Sequence, residues 1–312
     1  MMVRKKISVF TPCFNEEANV ENVYTQVKRV FDTLPEYNYE HLFIDNASTD
    51  QTVEILKRIA KNDKNVKLIV NTRNFGPIRS QQHVAFQCEG DAVIGMVADL
   101  QDPPEMIREF IKNWEVGYKI VVGVKIKSEE NKIMSLLRKL FYSIIAKISE
   151  TEQIKNCTGF GLYDKQFIDL TRELDDPYPY TRGLIAEFGL ARIEIPYTQP
   201  KREKGKSKNN FYSLYDYAML GFVNHSKVPL RLASFIGFAL LVFCLFVSSG
   251  YLIYKLIYWN RFQVGTAPLV IGIFFLGGVQ LFFLGIIGEY IGAILTQVRK
   301  RPLVIEKERI NF

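Results

Sequence analysis

Cysteine and histidine are scarce in this chain. Its four cysteines, Cys13, Cys88, Cys157 and Cys244, stand far apart, with no CxxC pair and no histidine beside them at ligand spacing. That pattern argues against a disulfide framework and a zinc centre, and for ordinary reduced thiols. No GxGxxG follows the first apolar segment and no GxxxxGK[ST] occurs anywhere, which argues against a dinucleotide-binding dehydrogenase and a P-loop enzyme. Basic residues gather beside long apolar runs and not among the aromatics of a groove, so nucleic acid is not an expected partner. No leader is read at the start, because Met1–Lys6 runs straight into a short strand-like segment.

What the chain does have divides into two unlike parts. With 312 residues there is room for a full catalytic domain and something smaller, and the net charge of +7 points to an anionic partner. Leu232–Tyr254 is 23 residues without a charge, and Val264–Gly288 is 25. Either can cross about 30 Å of hydrocarbon, so two transmembrane helices are expected, at about 232–257 and 264–292. Seven basic residues precede the first span (Lys201, Arg202, Lys204, Lys206, Lys208, Lys227, Arg231), and Arg299, Lys300 and Arg301 follow the second. Only Lys255 and Arg261 lie between them. The positive-inside rule then puts both termini and the catalytic part in the cytoplasm of a multi-pass cell-membrane protein. Glycines in both spans permit helix association, and so a homo-oligomer, without setting a number. Two helices are too few to line a polymer channel, which disfavours a processive synthase.

Before the membrane, strand-like and helix-like stretches alternate. Lys6–Thr11 ends at Pro12; Asn15 stands where an N-cap would open the next helix; Tyr39–Asp45, Val66–Val70 and the strand from Asp91 follow, with a fifth at Ile120–Val124. Cys157–Asp164 reads as a glycine-containing turn into a short apolar segment. The alternation predicts an α/β fold with a doubly wound, mostly parallel sheet over residues 1–200. Residues 201–231 form a basic juxtamembrane segment, and 297–312 a cytoplasmic tail. Polar residues collect just past the strands: Pro12, Asn15 and Glu16; Asp45 and Asn46; Arg73 and Asn74; Asp99 and Gln101. Strand ends of one open sheet converge on one crevice. The stretch DAVIGMVADLQDPP, Asp91–Pro104, puts a carboxylate and an amide two residues apart in a hard turn, suited to a divalent cation that also grips a diphosphate. The plain alternative is a turn that caps a helix starting at Pro103. Lys201–Lys208 (KREKGKSK) suits acidic headgroups, or a phosphate site built from Arg202, Ser207 and Lys208.

Taken together, FTPCFNEE, FIDNASTD, ADLQDPP, RGLIAEFG, the RxxGxSK stretch and RKRPLVIEKERI resemble a family-2 glycosyltransferase. More narrowly they resemble the polyprenyl-phosphate hexose synthases, the bactoprenol glucosyltransferases and dolichyl-phosphate mannose synthases, over nearly the whole chain. The resemblance implies a GT-A catalytic domain that moves a hexose from a nucleotide diphosphate sugar to a polyprenyl phosphate with inversion. Glucose from UDP-glucose and undecaprenyl phosphate are the expected substrates, and the lipid-linked sugar would feed cell-surface glycan modification. Pro12, Asn15, Glu16, Asp45 and Asn46 would hold the nucleotide. Asp99 and Gln101 would be the catalytic pair that coordinates Mg²⁺ or Mn²⁺. Lys125, Arg138, Arg202, Ser207 and Lys208 are the candidates for the acceptor phosphate. The chain departs from the family pattern at Val97 in DADLQ, at Asn46 in DDGSTD and at Gly161 in GDFRL. Those departures leave two alternatives open: another donor (N-acetylhexosamine, mannose or an amino sugar), or a degenerate, non-catalytic membrane subunit.

Overall fold

The computed structural model describes residues 4–127, 154, 157–200, 228–258, 266–299 and 301–312, and statements of absence below refer to these. Eight strands form one sheet: β1 (Lys6–Cys13), β2 (Asn38–Asp45), β3 (Val66–Asn71), β4 (Ala92–Gly95), β5 (Ile120–Lys127), β6 (Cys157–Asp164), β7 (Arg192–Thr198) and β8 (Glu306–Ile310). Their order is β7-β5-β6-β4-β1-β2-β3-β8. The helices are α1 (Val20–Phe31), α2 (Thr52–Asn62), α3 (Pro77–Gln87), α4 (Met106–Glu115), α5 (Lys165–Glu173), α6 (Thr181–Glu187), α7 (Val228–Ile257) and α8 (Thr266–Val298).

The four central strands β4-β1-β2-β3 are parallel and covered on both faces; their buried positions are mainly apolar, with Ser8, Thr11, Glu40, His41, Asp45 and Asn71 as the buried polar residues among them. One face packs on α1, α2 and α4 through Val23, Val27, Leu56, Ile59, Ile107 and Phe110. The other packs on α3, α5 and α6 through Val84, Phe167, Leu184 and Ile185. Valines at 20, 23, 27 and 30 put one stripe of α1 against the sheet, all four buried.

Three sequence expectations change. Asn15 does not cap α1: it stands at φ 55° in the loop, and the helix begins five residues later at Val20. Cys157–Asp164 is a full strand, not a turn, lying antiparallel between β4 and β5. Its strand signal is diluted by Gly159 and Gly161, and Gly161 is needed where three strands crowd together: a Cβ there would lie 2.4 Å from the Val121 carbonyl oxygen. The segment expected as a tail contributes β8, which pairs antiparallel with β3 and covers that edge of the sheet. β1 also runs through Pro12 to Cys13; β4 has already stopped at Gly95, opposite Phe10, so the missing proline N–H disturbs no ladder on that side.

These directions decide where the chemistry sits. β1 to β5 and β7 all end at one edge of the sheet, while β6 and β8 begin there. Cys13, Asp45, Asn71, Gly95, Lys125 and Thr198 therefore share that edge with Cys157 and Glu306.

α7 and α8 cover the two charge-free stretches. At 1.5 Å per residue, their 30 and 33 residues extend roughly 45 and 50 Å. Phe275–Val298 has a mean hydropathy of 1.7, is long and apolar enough to cross a membrane, and is not buried against the rest of the molecule. The core helix of a soluble domain would be covered; this one presents Leu281, Phe282, Ile291 and Ile294 outward.

Candidate active site

Three loops at the carboxyl ends of β1, β2 and β4 form the site, and each holds a non-glycine residue in the left-handed region: Asn15 (φ 55°), Ala47 (φ 63°) and Leu100 (φ 57°). Such conformations cost about 1–3 kcal/mol each and persist where the surroundings over-determine them.

The first two loops are laced together. The Asn15 N–H donates to Ser48 Oγ (2.8 Å), and Asn15 Oδ1 accepts from the Thr49 N–H (2.7 Å). The Glu16 N–H donates to Thr52 Oγ1 (2.9 Å), and Glu17 Oε2 accepts from the Gln51 N–H (2.9 Å). The Glu16 carboxylate is turned to the Asn19 amide, which donates at 2.6 Å. Asp45 is buried at the floor, where its carboxylate accepts from the Ser48 N–H (2.9 Å) and from the Ser48 hydroxyl. Burial pushes its pKa above the usual carboxylate range, against the pull of those Ser48 bonds. Asp50 moves the other way: despite burial, hydrogen bonds from Thr52 and the Glu17 N–H hold it below that range.

Asn46 uses its whole amide inside the fold. Its Oδ1 accepts from Phe75 N–H (2.9 Å), Ser80 Oγ (2.9 Å) and Asn71 Nδ2 (3.2 Å), while its Nδ2 donates to Asn74 Oδ1 (2.8 Å). A carboxylate could not make the last of these bonds, which gives the asparagine at this position a physical reason. Asn71 is itself buried, and its Oδ1 has no hydrogen-bond partner.

Past β4, Asp99 is half-buried and its Oδ1 accepts from the Gln101 N–H (3.2 Å). Asp102 does not cap α4, whose first turn starts from the Pro103 and Pro104 carbonyls. It folds back instead: its carboxylate accepts from the Val97 N–H (3.1 Å) and from the Tyr197 hydroxyl (3.3 Å). Burial, with the Asp99 charge nearby, pushes Asp102 up to about 7. Val97 exposes its side chain beside Asp99. Lys125 extends from the end of β5, within electrostatic reach of Asp102, and donates to Gln199 Oε1 (2.5 Å). Arg138, Arg202, Ser207 and Lys208 lie outside the described residues.

A divalent cation fits this donor set only if a second molecule completes its shell. Asp99 offers one carboxylate and Gln101 one amide oxygen, Val97 offers nothing, and among the described residues no group of three or more His, Cys, Asp or Glu could hold an ion alone. Mg²⁺-type sites of one carboxylate and substrate phosphates have this character. Beside the laced loops lies a cleft of about 340 Å³, lined by Asp45, Ser48, Asp50, Asn71 and, from the C-terminal strand, Lys307 and Glu308. A hollow of about 400 Å³ lies at the opposite end of the sheet, near Glu89, Gly90 and Lys165, away from the strand ends where ligands bind.

Residues 8–169 match the family described as Glycosyl transferase family 2, and residues 228–294 match the GtrB C-terminal hairpin. The chain belongs to glycosyl transferase family 2. A putative glycosyltransferase, CsbB, of Bacillus subtilis is 35% identical over 309 residues, covering 97% of this chain and 91% of that protein. The bactoprenol glucosyl transferase of Shigella phage SfII is 32% identical over 304 residues, covering 97% of this chain and 98% of that protein. Among solved structures, the mannosyltransferase PcManGT of Pyrobaculum calidifontis, in complex with GDP-Man and Mn²⁺, superposes with a TM-score of 0.51 at 14% identity. It covers 95% of this chain and 88% of that one. The fold is thus GT-A, and the family-2 glycosyltransferase keeps Asp45, Asp99 and Gln101 at one edge of the sheet. Sequence reasoning had not singled out Ser48, Asn71 or Lys307. Ser48 lies inside a quoted motif, but its bridging role depends on a loop more than thirty residues away.

Proposed function

We propose that the protein transfers a hexose, glucose from UDP-glucose, to a polyprenyl phosphate at the cytoplasmic face of a membrane crossed by α7 and α8. The observation that carries this reading is the common edge shared by Asp45, Asn15, Asp99 and Gln101, next to a cleft of about 340 Å³. Relatives at about one-third identity over nearly the whole chain, named as bactoprenol glucosyl transferases, support the lipid acceptor and the sugar. The exposed apolar surface of α8 supports a lipid setting. Basic residues on both outer flanks of the spans, with few between them, favour cytoplasmic termini.

In this reading Asp45 and the loop after β1 would receive the nucleoside, and Asp99 and Gln101 would hold the Mg²⁺ or Mn²⁺ that a diphosphate needs. The ion would neutralise charge that develops on the departing nucleotide. An acceptor phosphate oxygen forms the new bond to the anomeric carbon from the side opposite the breaking bond to the diphosphate, which inverts that centre. The phosphate is already ionised near neutral pH, so no proton need be removed and no strong base is required. Lys125, within electrostatic reach of Asp102, would meet the acceptor anion in this reading.

The test is incubation of the detergent-purified full chain with undecaprenyl phosphate, Mg²⁺ or Mn²⁺ and a panel of labelled nucleotide sugars. Label from UDP-glucose should enter the organic phase, vanish with chelator, and vanish in Asp99→Asn with thermal stability unchanged. Unchanged turnover in Asp99→Asn would remove the metal assignment. Val97 favours a second reading, binding without turnover, for which nucleotide binding with no labelled lipid from any donor is the signature.

A further inference from the structure

The C-terminal strand carries an irregularity that its covering role does not explain. Val70 of β3 faces Glu308 and Asn71 faces Glu306, so Lys307 is an extra residue bulged out of the ladder. The bulge changes which face each side chain takes. In a regular strand, residues 306 and 308 would share a face. Here Glu306 pairs with His83 of α3 (2.5 Å), while Glu308 pairs with Lys57 of α2 on the opposite face (2.5 Å). Arg309 rejoins Glu306 on the α3 side, donating to it (2.7 Å) and to Gln87 (2.8 Å). Bulges re-aim side chains and recur beside functional sites. This one lies at the end of β3, and the residue it frees lines the cleft over Asp45.

The Lys307 side chain is exposed and makes no hydrogen bond or ion pair among the described residues, in a strand where Glu306, Glu308 and Arg309 are all paired. The cleft floor is the reverse: it holds Asp45, a buried carboxylate. A lysine is a donor only, and a carboxylate is an acceptor only. Side by side in one cleft they complement a ring edge that presents an N–H next to a carbonyl.

Resting on the donor-site reading above, we propose that Lys307 is a specificity-determining residue for the nucleotide. Its ammonium donates to the exocyclic carbonyl of an oxo base such as uracil, while the Asp45 carboxylate at the floor takes the adjacent ring N–H. A base with an exocyclic amine in that position, such as cytosine, would set a donor against the ammonium and an acceptor against Asp45. The C-terminal strand would thus read the base, although it lies more than two hundred residues from the other nucleotide contacts.

The test measures UDP and CDP binding to the full chain in detergent, for wild type, Lys307→Met, Lys307→Arg and Arg309→Ala. Wild type should prefer UDP. Lys307→Met should weaken UDP by roughly 10- to 100-fold, the scale of one charge-assisted hydrogen bond, and leave CDP unchanged. Lys307→Arg should restore most of the preference, and Arg309→Ala, on the other face of the strand, should keep it. Wild-type UDP binding that Lys307→Met leaves intact would overturn the inference and spare the donor-site reading. Equal loss of UDP and CDP would place the ammonium on the diphosphate and overturn base selection. A wild type that binds neither nucleotide would sink the donor-site reading and this inference with it.

Discussion

Ala47 occupies a conformation that suits glycine, and glycine is the residue the DDGSTD pattern has there. With φ at 63°, its Cβ sits in the left-handed region, at a cost of about 1–2 kcal/mol that glycine largely escapes. Glycine in turn loses more chain entropy on folding, about 0.5–1 kcal/mol. The balance predicts that Ala47→Gly stabilises the domain by up to about 1 kcal/mol, raising the thermal midpoint by ~2–4 °C. Nucleotide affinity should be unchanged, because the flanking Asp45–Ser48 and Asn15–Ser48 bonds do not involve the methyl group. A lower midpoint would mean that the methyl group makes contacts worth more than the strain. At this scale the sequence was legible in residue type and not in wiring. Asp45, Asp99 and Gln101 announce themselves by following apolar runs. That Asn46 would bond with Asn71, Asn74 and Ser80 depends on the approach of β3 and α3, and no spacing in the chain encodes it.

The parallel core was readable from its apolar runs, because strands covered on both faces need little else. β6 and β8 were not readable, for opposite reasons. β6 carries two glycines that weaken any strand signal, one of them imposed by close approach to Val121. β8 is EKERI, with four charges in five residues, so it has none of the apolar alternation of a half-buried strand; three of those charges, on Glu306, Glu308 and Arg309, are spent on His83, Lys57 and Gln87 of the neighbouring helices. The β6 geometry also bears on the arginine that the GDFRL pattern has at position 161. Gly161 faces Gly95 on one side and Val122 on the other, and is buried. Gly161→Arg would force a long cation between paired strands, combining overpacking of about 1–3 kcal/mol with an unpaired buried charge. The expected result is a loss of at least about 3 kcal/mol and a midpoint lower by roughly 10 °C, with no gain in acceptor affinity. A stable Gly161→Arg variant with a lower Michaelis constant for lipid phosphate would show that the strand can open to admit it.

Across the whole molecule, β8 connects the apolar helix to the cleft. Seven residues, Arg299–Ile305, separate the end of α8 from the first residue of β8. From Val298 to Glu306 is eight steps, and at ~3.3–3.6 Å per extended residue they reach no more than about 29 Å, so the start of β8 beside the cleft cannot lie farther than that from the end of the helix. A soluble donor and a lipid-anchored acceptor could then be brought together without a large domain movement. The strand also closes the β3 edge through backbone pairing from Leu68 to Asn71, the Lys57–Glu308 pair and the Asn311 bonds to the Ala60 and Val66 carbonyls. The ion pair is exposed and contributes little; the backbone pairing and buried edge contribute more. Deleting residues 303–312 should therefore do two separable things. It should lower the thermal midpoint by about 10 °C, as several net hydrogen bonds of ~1 kcal/mol are lost, and promote association through the bared edge. It should also weaken nucleotide binding more than Lys307→Met does, because the cleft loses its wall as well as its cation. Adding the ten-residue peptide back in trans should recover part of the midpoint, since an open β3 edge can accept a strand. A truncated chain that keeps both stability and nucleotide affinity would mean that β8 neither closes the sheet nor lines the donor site.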